Sequence, residues 1–333
     1  MSSSNVAEFI GVIDGPINAE KIVGVPGTPW VIGSGMMATS VPTGRLYAID
    51  SQSHGVQEIY PYRCGSDLDE SVFGSEPAVL DPLEFEPHGL SVLRAEDGSY
   101  RLYVVNHGGR ESIEVFDVEL GGRFPVLTWR GAVVLPRGTW PNDVAPLADG
   151  GFIVSNTADP DTDGLAEGMA RMFAGVEIPG AIEWRPGVGS STVDGSLMAG
   201  ANGIVATADG QTVFIAGWRN RNVVRLRRSA EGTEVDVVEL DILVDNLTWT
   251  PDGDVLATGA FDTTPDQIFA CFSTKDRCFF PCQVVRIDAE TLEATTLVQY
   301  GEETFGLGTT GLIVGDEVWV SSARAAGIAR FAG

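Results

Sequence analysis

Four polar residues stand at the heads of apolar, strand-like runs. His88 in EPHGLSVLRAEDG, Asn142 in WPNDVAPLADG, Asn202 in GANGIVATADG and Asn246 in LVDNLTWTPDG lie 10, 8, 8 and 7 residues before a turn glycine. Asp143 and Asp245 adjoin two of the asparagines. Gathered in space, their amide and carboxylate oxygens would supply the roughly six to eight hard oxygen ligands that Ca2+ takes in flexible geometry. Zinc suits the set less well, because no cluster of Cys or His joins it. Each Asn or Asp taken singly also reads as an Asx turn that starts a strand. Their recurrence in one register points to a metal or ligand site.

His88 and His107 form a second group. His88 lies 9 residues before Asp97 of the Glu96-Asp97-Gly98 turn, and His107 lies 10 residues after it. A hairpin turned there returns the two rings to each other. One imidazole can act as a general base near neutral pH while the other tunes it or relays its proton. Two histidines can equally satisfy each other in a core.

Strands must position these residues. RLYVVNH, IEVFDVE, GFIVSN, TVFIAGW, DVLATGA and EVWVSSA are short, rich in β-branched and aromatic residues, and separated by Gly, Asp and Pro. Turn glycines at Gly44, Gly98, Gly150, Gly210, Gly253 and Gly315 are spaced 54, 52, 60, 43 and 62 residues apart. Such a period in an all-β chain predicts a six-bladed β-propeller of four-stranded antiparallel blades around a central channel. A pair of β-sandwiches would not need the same segment six times. The whole of residues 1–333 is expected to form this one propeller, with the stretch 8–14 (EFIGVID) adding a strand to the last blade. Helical patterning is nearly absent, and 164–175 is its best candidate. The innermost strand of each blade lines the channel, so residues at its start face one end of it.

Composition limits the partners. With 21 basic and 46 acidic residues the net charge is −25, which disfavours nucleic acid and anionic membranes. Some of the carboxylates could hold a cation. No apolar run reaches the roughly 18 residues of a membrane span. The first residues lack the basic and apolar regions of a leader peptide. A soluble protein is expected, cytoplasmic, or periplasmic or secreted if a leader was removed. Of Cys64, Cys271, Cys278 and Cys282, the last three have a C-x6-C-x3-C spacing that fits no zinc ribbon. A local Cys271–Cys278 disulfide is expected, with buried free thiols as the alternative.

In this order and spacing, PHGLS, LYVVNH, PNDV, ANGI and LVDN resemble the paraoxonases, within the wider group of six-bladed calcium propellers that includes gluconolactonases and the senescence marker protein. The resemblance runs from about Glu20 to Asn246 and continues weakly beyond. It implies a catalytic calcium in the channel and hydrolysis of lactones and aryl esters. It assigns Asn142, Asn202, Asp245 and Asn246 as ligands, with Glu20 of AEKIVGVPG matching the first-blade ligand. His88 and His107 match the family's histidine dyad. One departure stands out: an Asp that helps hold a second, structural calcium is Lys21 here. A lysine ammonium beside Asp143 would replace that ion, leaving one calcium per chain. The terminal cysteines and the hydrophobic N-terminal anchor of the animal enzymes have no counterpart.

The expected activity is calcium-dependent hydrolysis of small-molecule lactones and activated esters, with His88 activating water. Loops at the channel mouth would form the pocket wall from Trp140, Trp218, Phe261 and Trp30, with Met169 and Phe173 if segment 160–180 covers it. Each of these aromatics could also be ordinary core. Two alternatives stay open: a sugar lactonase of the gluconolactonase type using the metal without the dyad, and a non-catalytic binding propeller.

Overall fold

Short β-branched runs joined by tight turns pair with their sequence neighbours, since only antiparallel hairpins close over so few residues. The computed structural model describes residues 6–38, 40–75, 78–160 and 164–332. Six such meanders stand in a ring. Blade 1 is Ala19–Gly24, Trp30–Gly35, Arg45–Asp50 and Val56–Tyr60. Blade 2 is Pro87–Arg94, Tyr100–Asn106, Ser112–Glu119 and Val126–Val134, with Cys64–Ser66 added in parallel at its outer edge. Blade 3 is Trp140–Pro146, Phe152–Ala158, Ala181–Arg185 and Gly189–Thr192. Blade 4 is Ala201–Ala206, Thr212–Gly217, Asn222–Ser229 and Gly232–Glu239, and blade 5 is Ile242–Trp249, Val255–Phe261, Cys282–Ile287 and Ala294–Tyr300. Blade 6 takes Gly308–Val314, Glu317–Ser322 and Ala326–Ala332 from the end of the chain. Its outermost strand, Glu8–Ile17, comes from the beginning.

The apolar core is divided among the seams between blades. Leu46 and Ile32 of blade 1 meet Leu90 and Phe116 of blade 2, and Val284 and Tyr300 of blade 5 meet Val320 and Phe331 of blade 6. Equivalent clusters fill the other four seams. Each large side chain buried in a seam contributes about 1.5–3 kcal/mol relative to exposure. Stability therefore resides between the blades, which leaves the hub free to be polar.

At the hub, each inner hairpin breaks register at its entrance. Pairing jumps from Ala19 to Ile22, Pro87 to Leu90, Pro141 to Val144, Ala201 to Ile204, Val244 to Leu247 and Gly308 to Thr310. Such bulges re-aim side chains. The residues released from the ladder are Glu20-Lys21, His88-Gly89, Asn142-Asp143, Asn202-Gly203, Asp245-Asn246 and Thr309. The glycines among them permit close approach: a Cβ at Gly89 would lie 2.4 Å from the Asn142 carbonyl oxygen, and one at Gly203 would lie 2.5 Å from Leu247 N.

Gly44 is not a turn glycine of the repeat. It precedes the third strand of blade 1, where its N–H donates to Phe85 O at 3.0 Å, and a Cβ there would strike Pro87 at 2.0 Å. It is a close contact between blades 1 and 2. The inner hairpin of blade 1 turns at 25–29, where Gly27 has φ 75°.

Among the described residues three helices interrupt the strands: α1 Glu70–Phe73, α2 Leu165–Phe173 and α3 Pro265–Thr274. The helix expected at 164–175 is thus α2, while α3 was not expected. Cys271 and Cys278 form a disulfide at its end, and Cys64 and Cys282 are free. Among the described residues no helix is long and apolar enough to cross a membrane.

Candidate active site

The bulges bring the polar heads of the inner strands to one end of the channel. Glu20, Asn142, Asn202, Asn246 and His88 are all buried there. Asn246 Nδ2 donates to Glu20 Oε1. Four of the gathered oxygens, Glu20 Oε2, Asn142 Oδ1, Asn202 Oδ1 and Asn246 Oδ1, are sealed from solvent and accept no hydrogen bond. A buried acceptor left unpaired costs about 1–3 kcal/mol, so four in one ring demand a partner. Burial and the nearby Asp245 carboxylate hold Glu20 well above the usual carboxylate range, and burial pushes Asp245 up to about 7. The sealed Glu20 carboxylate, the half-buried Asp245 carboxylate and three amide oxygens are the hard donor set that fits Ca2+. Among the described residues no three His, Cys, Asp or Glu side chains group as a metal site; the ring is rich in amides, which suits calcium better than zinc.

Thr309 stands where the other blades present Glu20, His88, Asn142, Asn202 and Asn246, and its contacts go to the protein backbone. Thr309 Oγ1, Thr310 Oγ1 and Ser321 Oγ converge on the Glu20 carbonyl at 2.6, 2.9 and 3.3 Å. They pin the Glu20 backbone from behind. Sequence reasoning passed over them, although the Thr309-Thr310 pair heads the sixth repeat.

A different cluster begins one residue further along. Lys21 Nζ donates to Asp143 Oδ2, which also accepts from Ile204 N at 2.9 Å; Asp143 Oδ1 accepts from Val144 N at 2.8 Å. Both side chains are fully buried. Burial raises Asp143 and the lysine lowers it, with a net shift upward. The ammonium therefore occupies the place beside Asp143 that a cation could otherwise fill.

The histidines are joined. His88 Nδ1 lies 2.9 Å from His107 Nε2, and His107 Nδ1 lies 2.7 Å from Glu111 Oε2. This chain sets the tautomers. A carboxylate at Glu111 accepts from His107 Nδ1–H, so His107 Nε2 accepts from His88 Nδ1–H. The lone pair of His88 is left on Nε2. That atom lies 3.4 Å from Asn142 Nδ2 and 3.9 Å from Glu20 Oε1, facing the oxygen ring. Burial, then His107, then the charges of Arg324 and Lys21, hold His88 well below the ordinary histidine range, which keeps it neutral at pH 7 with the Nε2 lone pair free. Glu111 was not anticipated; its place four residues after His107 was the available signal.

Trp140 stacks on His107 with ring centres 5.1 Å apart and borders His88 at 6.5 Å. Trp218 meets Phe173 of α2 at 6.1 Å, and Phe173 meets Phe269 of α3 at 5.3 Å, forming an aromatic wall that joins two helices. Met169 is half-buried on α2, and residues 161–163 of the 160–180 segment lie outside the described residues. Phe261 packs with the cluster between blades 4 and 5 and lines a groove with Arg221 and Gln267. Trp30 is at the other end of the channel, because its strand begins there. It lines a cavity of about 600 Å3 with Trp249 and Ile313, whose inner end is Lys21.

The chain is similar to known proteins in sequence and in fold. The model of a family described as Arylesterase matches residues 193–304, which include Asn202, Asp245 and Asn246. Serum paraoxonase/lactonase 3 of Oryctolagus cuniculus is 29% identical over 177 residues, 52% of this chain and 48% of that protein. Serum paraoxonase/arylesterase 1 of Mus musculus is 28% identical over 213 residues, 59% of this chain and 57% of that protein. The chain spans about half the length of the curated relatives it matches. Among solved structures, a candidate gluconolactonase superposes with TM-score 0.55 at 16% identity, covering 98% of this chain and 92% of that one, a likeness of fold. The chain is thus similar in sequence to the Arylesterase family and serum paraoxonases over part of its length, and similar in fold to the gluconolactonase-type propeller.

Proposed function

We propose that this chain, a propeller of the paraoxonase and gluconolactonase-like group, is a calcium-dependent hydrolase of lactones and aryl or activated esters. The observation that carries the reading is the ring of four sealed, unpaired oxygens facing His88 Nε2. Glu20, Asn142, Asn202, Asp245 and Asn246 would hold one Ca2+, whose two charges match the two carboxylates. The bound ion would act as a Lewis acid toward a carbonyl oxygen. Calcium acidifies water far less than zinc does, so a separate base is needed. His88 Nε2, kept neutral by burial, takes a proton from the attacking water. His107 accepts from His88 Nδ1–H, and Glu111 steadies the His107 ring as positive charge develops. Trp140, Trp218 and Phe173 would wall the acyl or leaving group from water. Because Lys21 already neutralises Asp143, a single ion per chain is expected.

A panel of phenyl acetate and γ- and δ-lactones, assayed with and without a calcium chelator, tests this. Hydrolysis that is lost with chelator and restored by calcium supports the reading. Turnover that survives complete calcium removal contradicts it. Activity confined to sugar lactones and indifferent to His88→Gln would favour the gluconolactonase-type alternative, and no turnover with no calcium binding would favour a binding propeller.

A further inference from the structure

Arginines in this protein ordinarily grip a carboxylate side-on through the Nε–Nη2 edge. Arg110 reaches Glu114 at 2.9 and 3.1 Å, Arg185 reaches Glu183 at 3.0 and 2.7 Å, and Arg225 reaches Asp236 at 3.1 and 2.8 Å. Arg324 departs from the pattern. Its Nη1 donates to the carbonyls of Met37 at 3.3 Å and Ala323 at 2.9 Å. Its Nε is buried without a partner, and Nη2 meets no acceptor among the described residues. The Phe272 ring lies 4.5 Å from the guanidinium carbon and supports the group. Asp276 and Glu86 act on it through charge alone, and no carboxylate of the described residues pairs with it.

Its place in the fold is the mouth of the candidate site. Arg324 follows the second strand of blade 6, Glu317–Ser322, at the same end of the ring where His107 follows Tyr100–Asn106 in blade 2. Its carbonyl accepts from Cys278 N at 3.1 Å, which ties it to the disulfide after α3. Its charge is felt at His88. A half-buried guanidinium whose Nε–Nη2 edge meets no acceptor loses hydration without gaining a counter-ion, and since Nε is sealed from solvent a ligand reaches this edge from the Nη2 side. That edge matches the planar geometry of a carboxylate.

We infer that Arg324 is a specificity-determining residue that receives a carboxylate carried by the substrate, so that the preferred esters or lactones are anionic ones. The inference rests on the hydrolase reading above for the reaction, and on the geometry of Arg324 for the preference.

The test compares 3- and 4-acetoxybenzoate with phenyl acetate in the wild-type protein, R324K and R324Q. The ratio of kcat/KM for the better carboxylate ester to that for phenyl acetate should fall roughly 10- to 100-fold in R324Q, chiefly through KM. In R324K, which keeps the charge and loses the fork, it should fall by a smaller factor. A ratio unchanged in both variants overturns the inference. Should R324Q fail to fold, an unchanged ratio in R324K alone does the same. Calorimetric binding of 3- and 4-acetamidobenzoate against acetanilide separates the two readings. If no ester turns over but the carboxylated amide binds more weakly to R324Q, the hydrolase reading fails and the assignment of Arg324 stands. Binding indifferent to R324Q overturns that assignment.

Discussion

Asp143 and Asp245 head bulged inner strands of the same ring, the first fully buried and the second half-buried, and their surroundings differ. Asp143 is complete within the protein: an ammonium from Lys21 and N–H groups from Val144 and Ile204 fill its oxygens. Asp245, with Glu20, sits among unpaired amide oxygens, and no ion pair joins it to a cation among the described residues; Lys21 pairs with Asp143 and acts on Asp245 through its charge. On the proposed reading, one scaffold makes a structural and a chemical centre from the same positions. Where the sequence supplies a cation, as at Asp143, the cluster is closed by the protein itself. Where it supplies only oxygens, unpaired acceptors are left for the ion proposed above.

The contrast can be broken at either cluster. Asp245→Asn or Asn202→Ala should abolish calcium-dependent hydrolysis, a fall of about 10³-fold or more from losing an electrophilic centre worth several kcal/mol. The same change should leave urea unfolding of the chelator-treated protein little affected or slightly more resistant, because a strained carboxylate is relieved. His88→Gln should lower kcat by about 10²–10⁴-fold without altering calcium affinity. On the closed side, Lys21→Met strands a buried carboxylate and should cost about 3–5 kcal/mol in denaturant unfolding. Adding Asp143→Asn should recover part of that loss. A mutant that lost activity alone, with no loss of stability, would place Lys21 in the chemistry.

The smallest effect belongs to the rim. Burial acts to raise Glu183, but bonds and charges from Arg228 and Arg185 outweigh it, so its folded value lies below the ordinary one. A depressed carboxylate contributes stability above its unfolded value near 4.3, and that stability is lost as pH falls through the folded value. Glu183→Gln should therefore cost about 1 kcal/mol at pH 7 and almost nothing once both states are protonated. Unfolding midpoints at pH 7 and below pH 4 read the difference.

Much of this was legible in the chain because the repeat carries it. Polar heads before apolar strands announce both the hub and its donors, and His88 and His107 are placed by counting across one hairpin. The bulges were not legible, since an extra residue in a ladder leaves no compositional trace. They explain why Glu20 and Lys21, neighbours in sequence, serve different clusters. Gly44 misled because a glycine required by the approach of Pro87 looks like one required by a turn. Helix α3 carried a readable start in Thr264-Pro265 with Gln267, a capping box that is present, but the cysteines beside it drew attention to a loop. Arg324 and Glu111 are meaningful only through what surrounds them, which folding alone supplies.

Calcium stoichiometry, measured by calorimetric titration of the chelator-stripped chain, tests the contrast most directly. One ion per chain, abolished by Asp245→Asn, is the result expected. No binding, or two ions per chain, would contradict it: the first would empty the ring of its purpose, and the second would show that Lys21 does not close the cluster at Asp143.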